Sequence, residues 1–331
     1  STAKDFIAWK KEGIDIVVAN AGVAFSDHLS SGDPTQINQR IDIQLDLESE
    51  LTHSNISFRH IEIQPPNNLN RTISKKEQNA IDRAHDLGFS IGFEFPHIWN
   101  GLDIDPCIPG SIKNMIEIAR IANGIGVRYM HTNPGDIFGD IFNIERHEKA
   151  KNAHINVFDE IKKIHPRIAI ENSNPIRHLS NSESTYGFFG IMPEDLLLFN
   201  FITLDIAHAQ FVVNHFDSQK KIQPIRVLSQ ILNRTHLNLI DFIDILSDKI
   251  QVVHVANSSG LGDLDKEGLK MKDGDADCRE IITGLIQNRL TPLILISEPS
   301  PYPYEIDYTS LGGIMRDEQV EIFNICTNFY N

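Results

Sequence analysis

Eight times the chain alternates a short β-rich apolar run with a longer stretch of helical periodicity, and this alternation limits its possible folds more than any other feature. The β-rich runs fall at residues 14–19, 58–63, 90–95, 127–131, 167–171, 201–205, 250–254 and 293–298. Helical patterns are expected at about 35–53, 111–121, 145–164, 237–246, 278–288 and from about 317 to the end. A further helix is bracketed by Ser74 as N-cap, Glu77 at capping-box spacing and Gly88 as a stop. Asp277 reads as the N-cap of the helix that starts at Cys278.

Eight strands separated by helices is the count of a (β/α)8 TIM barrel. The strands are near-continuous apolar runs, as expected for parallel strands covered on both faces. An open doubly wound sheet shares the alternation, but no GxGxxG follows the first strand and no Walker motif is present. With 331 residues and no visible boundary, the expected arrangement is one domain over 1–331 with extended βα-loops. The longest inserts are 175–195 and 212–233, read as loops or short helical excursions.

A formal net charge of −15 opposes binding of polyanions on average. Acidic metal ligands contribute to such a count, and the ion they hold restores charge. No apolar stretch approaches the roughly 18 residues of a membrane span, and residues 1–11 carry no signal-peptide core. Cys107, Cys278 and Cys326 are few, odd in number and far apart, which points to reduced thiols in a cytoplasmic protein.

Barrel enzymes carry their chemistry at the C-terminal strand ends. Six of the last seven strands here end on or next to a metal-competent side chain: His97, His131, Glu171, Asp205, His254 and Glu298. Strand two carries Glu62 near its end. Any one of these would be ordinary, but turns favour Gly, Pro, Asn and Ser, so their recurrence points to a shared site. Two Glu, one Asp and one His make a mixed oxygen and nitrogen shell suited to Mn, Mg, Co, Fe or Zn as the divalent ion. His208, three residues past Asp205, is read as a substrate-orienting group or as part of the cap of the next helix. Trp99 and Phe211, with Phe188 and Phe189, are candidates for the wall of a substrate pocket. The turn 272–277, Lys-Asp-Gly-Asp-Ala-Asp, is an acidic tight loop.

The series Glu171-Asn172, Leu204-Asp205-Ile206-Ala207-His208, Val253-His254-Val255, Gly274-Asp275 and Glu298 resembles the xylose isomerase-like TIM-barrel superfamily over about residues 56–298. That superfamily holds sugar isomerases and epimerases together with nucleases of the endonuclease IV type. The resemblance to the epimerases implies one divalent ion on Glu171, Asp205, His254 and Glu298. Glu171 and Glu298 would be acid and base, passing a proton through a metal-bound enediolate. The implied substrate is a sugar, polyol or sugar phosphate, and a homo-oligomer is compatible with it. The resemblance to the nucleases implies extra ions, with His97 and His131 at a second site and His208 at a third. Nucleic acid is the partner only under that alternative, with Arg71, Lys75 and Lys76 on phosphate. The nuclease pattern also needs an Asp-x-His after the seventh strand, where this chain offers Asp263 and Asp265 but no histidine after His254.

Overall fold

The computed structural model describes residues 13–22, 34–64, 73, 75–96, 98–99, 102–108, 110–134, 142–178, 184–218, 221–262, 266–287, 292–306 and 310–330. Eight parallel strands form the barrel: β1 (Ile16–Gly22), β2 (His60–Ile63), β3 (Ser90–Glu94), β4 (Tyr129–Thr132), β5 (Ile168–Glu171), β6 (Ile202–Asp205), β7 (Ile250–Val255) and β8 (Leu293–Ser297). Each pairs with the next, and β8 returns to β1 with Ile16 opposite Leu293 and Asn20 opposite Ser297. The sheet is therefore closed and has the (β/α)8 order expected from the alternation.

The helices are α1 (Pro34–Glu50), α2 (Lys75–Asp86), α3 (Ser111–Gly124), α4 (Ile144–Lys162), the single turn α5 (Pro193–Leu196), α6 (Ile206–Asp217), α7 (Gln223–Ile231), α8 (Leu239–Leu246), α9 (Cys278–Gln287) and α10 (Leu311–Tyr330). Strand side chains alternate between two cores because the pleat has period two. Ile16, Val18, Ile61, Ile91, Phe93, Met130, Ile168, Ile170, Leu204, Val253 and Leu295 join the large cluster between strands and helices. Val17, Ala19, Tyr129, Val252, Ile294 and Ile296 form a separate, smaller cluster that fills the barrel interior. On the interior parity, the C-terminal positions belong to Glu62, Glu94, His131, Glu171, Asp205 and His254, with Glu298 next in step after Ile296.

Two long inserts acquire structure. Residues 176–178 and 184–186 pair as an antiparallel hairpin ahead of α5. The stretch 212–233, read as loop or short helical excursion, is the end of α6 followed by α7. The last helix starts at Leu311, six residues before the expected start near Asp317. The Gly312-Gly313 pair looks like a helix stop in sequence. In the structure it is a point of approach, because a Cβ on Gly312 would lie 3.2 Å from Gln39 Nε2 and 3.3 Å from Ile43 Cδ1 of α1. Ser74 lies outside the described residues, so its capping role is not placed, whereas Asp277 Oδ1 accepts the Glu280 N–H at 3.0 Å as an N-cap does. Among the described residues no helix is long and apolar enough to cross a membrane. All three cysteines are free thiols, and burial pushes each up to about 12, which makes them poor nucleophiles.

Candidate active site

β5, β6 and β7 end on Glu171, Asp205 and, one residue short of its last position, His254, and Glu298 lies one residue past β8, its N–H donating to Val255 O at 3.3 Å. The four side chains meet at one mouth of the barrel. Asp205, His254 and Glu298 each offer a donor atom within 4.8 Å of the others, and so do Glu171, Asp205 and His208. His254 Nδ1 is 2.6 Å from Glu298 Oε2 and 3.8 Å from Glu171 Oε2. Neighbouring ligands of an octahedral ion with bonds of about 2.1 Å lie roughly 3 Å apart, so this spacing suits a shared ion.

Local folding explains how Asp205 is held. It ends β6 in an extended conformation and caps α6, its Oδ1 accepting the His208 N–H at 2.9 Å. Asn172, directly after Glu171, clamps the same residue: Asn172 Nδ2 donates to Asp205 O at 2.9 Å, and Asn172 Oδ1 accepts Asp205 N–H at 2.7 Å. The acidic turn supports the far side. A Cβ on Gly274 would fall 2.4 Å from the Asn257 side chain, so only glycine lets the turn lie there. Asn257 then accepts the Ala276 N–H at 3.0 Å and donates to Met271 O at 2.6 Å.

Glu62 and His131 lie under this mouth. His131 is completely buried, with Nε2 3.1 Å from Glu62 Oε2 and Nδ1 3.2 Å from Glu171 Oε2. Glu62 Oε1 is 3.0 Å from His254 Nε2, and Glu62 Oε2 accepts the Tyr129 hydroxyl at 2.5 Å. Tyr129 fits inside the barrel because Gly92 has no side chain: a Cβ there would meet Tyr129 Oη at 2.3 Å. His208 is engaged at both ring nitrogens, Nδ1 with Asn172 O at 3.0 Å and Nε2 with Glu267 Oε1 at 3.0 Å.

The electrostatics are those of carboxylates crowded together with imidazoles. Burial alone would lower His131, but Glu62, Glu171 and Glu94 outweigh it and raise it to about 10. The same contest, won by Asp205, Glu171 and Glu267 for His208 and by Glu298, Glu62 and Glu171 for His254, holds both rings well above the usual histidine range. Desolvation raises Asp205 to about 7, with Glu171 and Glu298 adding to it and His208 opposing. Glu94, partly covered at the mouth, is pushed up to about 8 by desolvation and by Glu298, Glu171 and Glu62, against His131. Protons thus gather where a cation would supply the same charge.

The donors also fit a divalent ion by their geometry. His254 Nδ1 and Glu171 Oε2 are buried with no hydrogen bond of good angle, despite their close approaches. Lone pairs converging without hydrogen bonds suit a metal shell better than a polar network.

No protein-family model matches the chain, and no curated protein matches it in sequence. Solved structures do match it along nearly its whole length. An L-ribulose 3-epimerase superposes with a TM-score of 0.59 at 12% identity, covering 96% of this chain and 96% of the other. A xylose isomerase-like TIM barrel protein from Mycobacterium smegmatis, in complex with magnesium, gives 0.55 at 11% identity, over 98% of this chain and 99% of that one. The fold is that of the xylose isomerase-like TIM barrels. Endonuclease IV from Thermus thermophilus has it too, with a TM-score of 0.50 at 14% identity over 93% and 97% of the two chains. At such identities the likeness to xylose isomerase-like barrels is one of fold, and the chemistry has to be argued from the residues themselves.

Of the candidates read from sequence, Glu171, Asp205, His254, Glu298, His208 and His131 come together at or beneath the mouth. His97, Arg71, Asp263 and Asp265 lie outside the described residues. Trp99 is placed by its backbone, opposite Leu102 in a short antiparallel pairing. Phe211 is wholly buried on α6, so what it contributes is packing. Phe188 and Phe189 are buried too, Phe188 stacked on Phe142 at 5.6 Å and Phe189 against His154 at 4.9 Å. Strand-end reading passed over Glu94, Glu267 and the clamp Asn172, and gave Glu62 no role. The period-two parity of β2 and β3 would have flagged Glu62 and Glu94.

Proposed function

We propose that this chain is a divalent-metal-dependent isomerase or epimerase of a sugar or polyol, free or phosphorylated. The observation that carries the reading is the convergence of Glu171, Asp205, His254 and Glu298 from four successive strands on one mouth of the barrel. These four residues would hold Mn, Mg, Co, Fe or Zn, and the coordination positions they leave open suit two adjacent substrate oxygens. A bound divalent ion would polarise the substrate carbonyl and lower the pKa of the neighbouring C–H.

The chain's own groups then move the proton. Glu298, with 29% of its side chain exposed, reaches the mouth and takes a proton from carbon, and Glu171 returns one. The roles of the two carboxylates exchange with the direction of reaction. His208 keeps Glu171 in place, its Nδ1 3.4 Å from Glu171 Oε1. The rival reading, metal-assisted hydrolysis of abasic DNA, is disfavoured by the net charge of −15, which opposes a polyanion.

The test is incorporation of solvent deuterium into a panel of ketoses and ketose phosphates, with each divalent ion supplied. Label at one carbon next to the carbonyl is expected. Cleavage of abasic DNA with no label in any sugar would replace this reading with the nuclease one.

A further inference from the structure

We propose that Glu62 is a positioning residue, which turns the Nε2 edges of His254 and His131 into the barrel so that His254 Nδ1 and Glu171 face the point where Asp205 and Glu298 converge. The proposal rests on the divalent-ion reading above.

The geometry is a carboxylate feeding two imidazoles, each of which reaches a candidate ligand. Glu62 Oε1 stands 3.0 Å from His254 Nε2, while His254 Nδ1 on the opposite side of the ring stands 2.6 Å from Glu298 Oε2. Glu62 Oε2 stands 3.1 Å from His131 Nε2, and His131 Nδ1 stands 3.2 Å from Glu171 Oε2. A neutral imidazole has one N–H and one lone pair. A carboxylate at Nε2 of His254 keeps the proton there and leaves the lone pair on Nδ1, where an ion can use it. His131 stands between the two carboxylates, one at each ring nitrogen, and so links the position of Glu171 to that of Glu62.

Glu62 is itself held from below. Tyr129 donates its hydroxyl to Glu62 Oε2 at 2.5 Å, His60 Nε2 lies 3.3 Å from that hydroxyl, and His60 Nδ1 lies 2.7 Å from Ser90 Oγ. The rings of His131 and His254 cross nearly at right angles, 81° with centroids 5.0 Å apart, so Glu62 fixes them as a pair. The alternative, an ion of their own on Glu62, His131 and His254, is disfavoured by the partners these groups already have. Glu62 Oε2 is already used by Tyr129, and His254 faces Glu298 through its other nitrogen.

The experiment uses Zn²⁺ as the probe on the full chain, with Glu62→Gln and Tyr129→Phe. Affinity is read by competition with a chromophoric chelator, stoichiometry by elemental analysis, and the His254 ring nitrogens by ¹⁵N NMR. Glu62→Gln should bind the same number of ions as wild type about 10–100-fold more weakly. Its His254 should lose the single pattern of metal-bound Nδ1 and protonated Nε2. Tyr129→Phe, which leaves the carboxylate in place, should move the same signals less, and far-UV circular dichroism checks that both variants are folded. An ion missing from the Glu62→Gln count would make Glu62 a ligand and overturn the proposal, as would unchanged affinity and spectra. A wild type that takes up no Zn²⁺ contradicts the functional reading itself, and the positioning role falls with it.

Discussion

Glu171 and Glu298 are the residues on which the chemistry turns. Glu298→Gln preserves volume and a carbonyl donor but removes the base, and should cut exchange of the substrate proton by about 10²–10⁴. Glu171→Gln should fail similarly, because one carboxylate takes the proton and the other returns it. The check is the deuterium assay in both variants, and full labelling by either would reduce that glutamate to a ligand. A separate prediction concerns His154, wholly buried with Nδ1 donating to Ala150 O at 2.7 Å and lowered by burial to about 4. The folded state refuses a proton that the unfolded chain accepts below about pH 6.5. Stability is therefore full above that pH and is lost as pH falls from about 6.5 to about 4, at about 1.4 kcal/mol per pH unit from this residue. Urea midpoints across that window should slope less in His154→Leu than in wild type, and equal slopes would contradict the assignment. At this scale the strand-end rule picked out Glu171, Asp205, His254 and Glu298 but gave no role to Glu62 or Glu94. They sit on or just before the last residue of short strands, so only the inside-outside parity reveals which way they face.

Elements show what sequence alone conveys poorly. Strand positions were legible to within a few residues, because buried parallel strands are continuous apolar runs. The early start of α10 was hidden, since Gly312 signals a stop in isolation and a close helix approach in context. The coupling of β5 to β6 was hidden too, because Asn172 acts through the backbone of a residue 33 positions away. Asn172→Ala should cost about 1–3 kcal/mol, as two buried backbone groups of Asp205 lose their partner. It should also weaken ion binding, since Asp205 is set by that clamp. Loss of stability with unchanged ion affinity would separate the clamp from the site. Asp277→Ala tests an ordinary cap and should cost about 1 kcal/mol with no effect on ion binding.

Across the whole molecule, the closed barrel brings the ends of six strands, β2 to β7, and the residue after β8 to one rim, gathering acids that lie far apart in sequence. Their mutual repulsion is part of the net charge of −15, and a bound cation relieves it. An ion at about 100 times its Kd should add about 2.7 kcal/mol of stability, so chelation should lower the Tm and resupply should restore it. The most direct test is the number of divalent ions per chain in protein loaded and then freed of excess metal, measured by elemental analysis alongside Asp205→Asn. One ion in wild type and a sharply weakened one in the variant is the predicted result; two or three ions, or one that Asp205→Asn holds as tightly as wild type, would contradict a single-ion isomerase centred on Glu171, Asp205, His254 and Glu298.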